Sequence, residues 1–506
     1  MSASVGTILE SGMHGSKVDI ECHISNGLPN IIVVGFGNKA IDEAKERMRS
    51  AFAEANIELP KKRITLNLAP ADVPKDGTSF DLAMAASVLL ASKQIKPDRM
   101  LDSIVIGELG LDGSIRPVRG IIGKLLAGRK LGFKRFYIPA KNMPQASLIP
   151  DISLFPVANL REFYLDQTDT VNIEAQSGVP ELPKVIHKAR TLSDFADVMG
   201  QARAKRALEI AAAGGHNTLL SGPPGTGKSM LAKALPSILP FLDLEEILEI
   251  THLHSLASQQ YDQIVLERPF RAPHHTASEV SILGGGQRPR PGEISLSHRG
   301  ILFFDELPEY SRNTLEALRQ PLEDKIITVA RAKDTLVFPA DFMLIATANP
   351  CPCGYYGSTK TCSCTASDIV RYQRKLSGPI IDRIDLYVDV EEVEHRTLLG
   401  IHEAEPSKII RKRVQSARTA QKQRFSDPMI TNSCMSNRQI KQLAQLTKEA
   451  KALLDQAAEK LNVSARAYMR IVKVARTIAD LEGSITIEIP HITEALQYRR
   501  PLANTL

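Results

Sequence analysis

The chain of 506 residues has no tryptophan, and aromatic residues make up only 5% of it. That scarcity excludes a protein that grips its ligand by aromatic stacking along its whole length. No apolar run reaches the ~18 residues that a membrane-spanning helix needs. Residues 1–9 lack the charged-then-apolar order of a signal peptide. The expectation is therefore a cytoplasmic protein with no membrane partner. Cysteine is also sparse. Six residues cannot form a disulfide framework, yet four of the six fall within fourteen residues, which points to a metal. Neither sign of charge dominates: the net charge of +6 permits a polyanionic partner without requiring one. What remains is ordinary. A hydrophobic share of 43% and a charged share of 24% describe a folded chain. Its length suits roughly two to four domains.

Three regions differ in texture. Residues 1–165 alternate short β-branched runs, at 31–34, 64–68, 104–106 and 136–138, with helical stretches at 41–55 and 80–92. A polar, proline-containing stretch, 166–190, reads as a linker. From about residue 191 to 390 an alanine-rich helix (202–213), a strand (218–221), a glycine-rich turn and a helix (230–235) follow one another. Strand-like runs return at 301–304, 326–329, 335–338 and 342–346. Helix alternating with strand predicts an α/β core with a parallel sheet. Beyond residue 391 strands almost vanish, and 391–506 reads as a helical bundle.

The densest chemistry lies in Gly222-Pro223-Pro224-Gly225-Thr226-Gly227-Lys228-Ser229, which fits G-x-x-x-x-G-K-[ST] between a strand and a helix. Its glycines let backbone N–H groups turn toward phosphate oxygens, and the helix start adds partial positive charge. Lys228 would reach the β- and γ-phosphates of ATP, and Ser229 would hold Mg²⁺. Further on, the apolar run 301–304 ends in Asp305 and Glu306. Asp305 is placed for the Mg²⁺ shell, and Glu306 to polarise an attacking water. Asn349 closes another apolar strand and would sit between these motifs, orienting that water; alone, such an asparagine is more often a turn former.

Cys351, Cys353, Cys362 and Cys364 form C-x-C-x₈-C-x-C directly after that strand. Four thiolates from two short loops suit a closed tetrahedral Zn²⁺ site, a structural staple with no open position for catalysis. Unliganded or redox-active thiols are the alternative. Adjacent His274 and His275 do not read as metal ligands.

The order of the motifs resembles the AAA+ ATPases. That resemblance implies a first sensor at Asn349 and an arginine finger at Arg383, within Gly378-Pro-Ile-Ile-Asp-Arg383. It also implies a second sensor in Ser464-Ala-Arg466-Ala-Tyr-Met-Arg470, at Arg466 or Arg470. By spacing, Arg466, Arg470 and Lys473 share one helical face, which a plain solvated basic stripe would also explain. A finger acting in trans implies a homo-hexameric ring. Arg268-Pro-Phe-Arg271-Ala-Pro-His274-His275, Pro291-Gly-Glu293, Leu318-Arg-Gln-Pro-Leu-Glu323 and Asn349-Pro-Cys-Pro-Cys-Gly354 resemble signatures of the magnesium-chelatase-like branch, and within it the ComM (YifB) group. This implies a ring-shaped DNA helicase that promotes branch migration of recombination intermediates in natural transformation, with recombination proteins as further partners. The N-terminal region, around Pro74-Lys-Asp-Gly-Thr-Ser79 and from Gly107 to Pro139, resembles the proteolytic domain of Lon. Ser79 holds the nucleophile's place, but Ile122 stands where the lysine base belongs, with Lys124 two residues on. The expectation is an inactive protease fold.

Two segments read as DNA contacts. Residues 326–338 read as a hairpin with Arg331 and Lys333 at its tip, suited to tracking phosphates. An insertion of about 50 residues from His252, with Arg268, Arg271, Arg288, Arg290 and Gly284–Gly286, reads as a mobile basic loop or a plain surface one. Residues 408–424 hold seven basic and no acidic residues, mainly a solvated face. Two other functions stay open at this point: the motor subunit of a metal chelatase, and an ATP-dependent Lon-like protease.

Overall fold

A computed structural model describes residues 3–35, 39–71, 75, 77–178, 193–257, 263–286, 289–330, 335–375, 380–392, 404–427 and 429–499. The chain forms two compact units. The first takes residues 1–186, 243–266 and 330–338; the second takes 187–242, 267–329 and 339–506.

The first unit is built on a mixed sheet of eight strands. In chain order these are β1 (Ala3–Ser11), β2 (His14–Ser25), β3 (Asn30–Val34), β4 (Arg63–Ala69), β5 (Ser103–Val105), β6 (Arg135–Pro139), β7 (Ser153–Val157) and β8 (Gln176–Ser177). They lie side by side as β8-β7-β6-β5-β1-β2-β4-β3. Alternation sets the buried face: Ile64, Leu66 and Leu68 of β4 point to the core, as do Val18, Ile20 and Cys22 of β2. The helix Asp81–Ala91 is almost wholly buried in the same core. β1 and β2, the longest pair, are missing from the sequence expectation because polar residues interrupt both. The linker expected from residue 166 starts later. The helix Leu160–Gln167 runs through residue 165, Ile173 is buried, and β8 pairs with β7.

Two pieces expected in the ATPase core belong to this first unit. In the helix Leu244–Ala257, His252 lies 2.9 Å from Glu10, which also faces buried Lys124 at 3.9 Å. Leu336 and Phe338 lie beside Gly12, at the turn between β1 and β2.

The second unit carries a five-stranded, all-parallel sheet, as expected: β9 (Thr218–Ser221), β10 (Phe270–Arg271), β11 (Ile301–Phe304), β12 (Met343–Ala348) and β13 (Leu386–Asp389), ordered β10-β11-β12-β9-β13. β11 and β12 are buried at every residue, the pattern of strands covered on both faces. Past residue 391 the described residues form helices, including Ser407–Phe425, Lys448–Lys460, Ala465–Leu481 and Ile489–Gln497. Their buried residues join one continuous core with the sheet. No helix among the described residues is long and apolar enough to cross a membrane.

Two basic segments differ from expectation. Arg271 forms a bidentate pair with Glu293 at 2.5 and 2.6 Å, and Arg268 donates to the carbonyls of Pro240 and Arg299 at 2.7 and 2.8 Å. These arginines fasten the insertion down, and Phe270–Arg271 extends the sheet. Arg288 lies outside the described residues. On Ser407–Phe425, Arg411 bonds the Ser237 carbonyl and Arg418 the Ala212 carbonyl, while Arg413 pairs with Glu209 and Arg424 with Asp480. That basic run is therefore largely an anchoring face and not a solvated one. Long guanidinium side chains reach part-buried carbonyls across the fold.

Candidate nucleotide site and cysteine knot

The parallel register assembles the site. β11 pairs Phe304 with Ala346 of β12, and β9 pairs Ser221 with Ala348. The residues that follow each strand, Gly222, Asp305 and Asn349, therefore emerge at one carboxyl edge. That edge is where open α/β sheets bind ligands.

Gly225 and Gly227 take φ of +82° and +85°, a conformation that favours glycine, and a Cβ at either would meet nothing within 4 Å. The loop thus turns its backbone toward open space. Gly222 is needed for a different reason: a Cβ there would sit 2.2 Å from the Val390 carbonyl oxygen. Lys228 donates from Nζ to the carbonyls of Gly222 and Pro223, both at 2.7 Å, and to Asn349 Oδ1 at 3.3 Å. Burial pulls its ammonium below the ordinary 10.5, with Asp305 and Glu306 opposing. Ser229 Oγ stands 3.1 and 3.0 Å from the two oxygens of Asp305. A hydroxyl converging on a carboxylate beside an open glycine loop fits Mg²⁺ carried by a nucleotide phosphate.

Two residues of this site escape the sequence. Thr347 is buried; its hydroxyl donates to Asp305 Oδ1 at 2.6 Å and accepts from the Glu306 amide at 2.8 Å. Glu306 itself sits at φ +56°. Gln201, also left-handed at φ +57°, ties the Thr226 carbonyl at 3.3 Å to the Glu391 carbonyl at 2.6 Å. Only the β11–β12 register, which pairs Phe304 with Ala346 and so carries Asp305 beside Thr347, points to Thr347.

The remaining assigned residues divide. Arg383 ends a short 3₁₀ turn, Ile381–Arg383, and forms an ion pair with Glu323. Arg466 is largely exposed, 4.0 Å from Asp382. Arg470 donates to the Ile384 carbonyl and Lys473 to the Ser433 carbonyl, the latter at 2.8 Å. The shared helical face is thus real, but its three cations have different partners. Arg331 and Lys333 lie outside the described residues, although the flanking Ile326–Ala330 and Thr335–Pro339 are strands as expected. His274 bonds Thr276 and lies tilted against His275, whose ring meets Tyr310 edge-on. Ile122 is fully buried, and Lys124 is committed to Glu10.

The four cysteines come together. Their sulfurs all lie within 4.8 Å of one another, the one cluster of metal-ligand type among the described residues. Cys351–Cys353, Cys353–Cys362 and Cys351–Cys362 are 3.4, 3.5 and 3.7 Å apart. A tetrahedron of sulfurs each about 2.3 Å from zinc has edges of about 3.8 Å. Two amides, those of Cys353 and Tyr356, point at Cys364 and Cys351 sulfurs at 3.4 and 3.3 Å, the outer contacts that orient thiolate ligands. The residues present fit the metal.

A phosphate loop after β9, an acidic pair on the strand two away and an asparagine after β12, the strand between them, define a phosphate-loop ATPase of the AAA+ type. Comparison with known proteins narrows the class. Residues 194–398 match the family described as magnesium chelatase, subunit ChlI; residues 20–142 and 404–499 match companion models of that subunit and of its C-terminal part. The chain is 41% identical over 497 residues to competence protein ComM of Haemophilus influenzae, covering 96% of this chain and 95% of that one. Against YifB of Salmonella typhimurium it is 40% identical over 501 residues, covering 98% and 97%. A stretch of 132 residues is 30% identical to the Lon protease of Rhizobium meliloti, spanning 24% of this chain and 16% of that protein. The chain belongs to the ComM/YifB group of magnesium-chelatase-like AAA+ proteins, a membership that implies ATP and Mg²⁺ as ligands and ATP hydrolysis as the activity.

Proposed function

We propose that the protein is an ATP-driven DNA helicase that works as a homo-hexamer in the cytoplasm and moves branch points in recombination intermediates during natural transformation. The observation that carries this reading is the convergence of Lys228, Ser229, Asp305 and Asn349 at one sheet edge, in a chain that matches a competence protein along nearly its whole length.

In this reading Lys228 exchanges its loop carbonyls for phosphate oxygens, and Ser229 and Asp305 would hold the Mg²⁺ that neutralises phosphate charge. Glu306 polarises the water and Asn349 orients it. Arg383 reaches the γ-phosphate of the neighbouring subunit, exchanging its pairing with Glu323 for a stronger charge. Arg466, exposed and loosely paired, is the better second sensor, because Arg470 is already spent on a backbone carbonyl. Arg331 and Lys333 hold DNA phosphates, so affinity falls with salt. The N-terminal region is a Lon-like fold without protease chemistry that continues past residue 165 to the strand Gln176–Ser177, and the ATPase core, 191–390 less the segments 243–266 and 330–338 that join the first unit, is followed by its helical lid, 391–506. Lys124's commitment to Glu10 speaks against a Ser79–Lys124 dyad. Zn²⁺ in the cysteine knot is structural.

The test measures ATP turnover with and without four-way junction DNA, beside strand displacement. Branched DNA should stimulate turnover, and Glu306→Gln should bind ATP and assemble into rings yet turn over about a hundredfold more slowly. DNA that neither binds nor stimulates at low salt would remove the helicase reading and favour a chelatase-type motor.

A further inference from the structure

The zinc reading places a staple in the chain but gives it no connection to the ATPase cycle. The structure supplies one. Cys351 follows Asn349 by two residues, at the end of β12, so the first ligand and the polar partner of Lys228 share one short stretch. The turn continues to Gly354, whose amide donates to the Cys351 carbonyl at 3.0 Å. Gly354 takes φ +85°, and a Cβ on it would fall 2.7 Å from Pro224 Cδ and 3.2 Å from Pro224 Cγ. Pro224 is the third residue of the phosphate loop. The knot's turn therefore forms the wall behind that loop, with no room for one further carbon.

Between Cys351 and Cys364 the chain has no helix or strand. Its hydrogen bonds are those of isolated turns, such as Gly354 to Cys351 and Ser358 to Tyr355. A segment of this kind owes its shape to whatever closes it, and here that is the four-sulfur cluster. Resting on the zinc reading above, we propose that the metal in this knot positions the nucleotide site: zinc stiffens the Cys351–Gly354 turn, and the turn holds Pro224 and the phosphate loop in the form that accepts the nucleotide. The site takes a soft divalent cation in closed tetrahedral thiolate coordination, so it has no part in the chemistry itself. Gly354 is a positioning residue, acting on nucleotide through Pro224.

The test uses the full-length protein and two variants. Metal content is measured on each after dialysis, and affinity is read with a fluorescent ADP analogue and with ATP. The wild type should carry one zinc per chain. Replacing Cys362→Ser with Cys364→Ser should remove the zinc and weaken both nucleotides about tenfold, while circular dichroism stays that of a folded protein. Gly354→Ala leaves all four thiols in place. It should keep its zinc yet raise KM for ATP several-fold, with kcat at saturation close to that of the wild type. A purely structural staple would not separate KM from kcat in a zinc-loaded variant. Protein purified without zinc would overturn the metal reading. A zinc-loaded Gly354→Ala with unchanged KM, beside a zinc-free cysteine variant with unchanged affinity, would overturn the positioning role and leave the zinc standing. Neither result bears on whether the motor acts on DNA, which the junction assay decides separately.

Discussion

Thr347 illustrates what one side chain does in this site. It is a hydroxyl within an otherwise apolar strand, and it is buried. Burying a hydroxyl costs free energy unless it is bonded, and both its bonds go to the acidic pair: one to the Asp305 carboxylate, one from the Glu306 amide. It therefore fixes the two residues expected to manage metal and water. Thr347→Val keeps the shape and removes both bonds. Turnover should fall about tenfold, equivalent to about 1.4 kcal/mol, with nucleotide affinity changed less. Steady-state kinetics would check this; an unchanged kcat would show that Asp305 and Glu306 hold their places unaided. Arg383 makes the complementary point. Within its own chain it is already paired with Glu323, so any partner across a subunit boundary must compete with that carboxylate.

Among the elements, the insertion between the phosphate-loop helix and β11 departs most from its sequence pattern. Glycine and arginine together suggest a loose basic loop, yet Arg271 is locked to Glu293, and Gly284–Gly285 pairs with Arg290–Pro291. Net charge of a segment says little when its cations find carboxylates and carbonyls inside the fold. Arg331 and Lys333 remain the residues proposed to contact DNA. Changing both Arg331→Ala and Lys333→Ala should reduce the slope of log affinity against log salt by about two, since each lost phosphate contact releases about one counterion fewer. Fluorescence anisotropy across a salt series reads this slope. No change in it would move the DNA contact to another element.

For the molecule as a whole, acid stability of the second unit depends on a half-buried carboxylate, Asp385, just before β13. Burial alone would raise the Asp385 carboxyl, but the hydrogen bond and charge of His216 outweigh it, aided by Arg470 and Lys473, and hold it below its ordinary 3.8. A carboxyl depressed in the folded state stabilises above its unfolded pKa, and the stabilisation disappears as pH falls through the folded value. Asp385→Asn should cost about 3 kcal/mol at pH 7, because it leaves His216 and the nearby cations facing an uncharged partner. The gap to wild type should close below pH 4, as followed by chemical denaturation at several pH values. A constant gap would assign the loss to packing instead.

The sequence by itself determined the class of chemistry and most of the scaffold around it. The phosphate loop is one continuous run, and its glycines and lysine act on a ligand through local backbone geometry, so neighbours along the chain suffice to reveal it. The parallel sheet is legible for the same reason: strands covered on both faces, such as 301–304, read as near-continuous apolar runs. The cysteine knot also lies within fourteen residues. Only the tertiary structure decided what depends on distant partners. The β11–β12 register carried Thr347 to Asp305. The fold drew residues 243–266 and 330–338 into the first unit and sent the arginines of Ser407–Phe425 to carbonyls and carboxylates about two hundred residues away. A side chain's partner is set by packing, and packing joins residues that the linear order keeps apart.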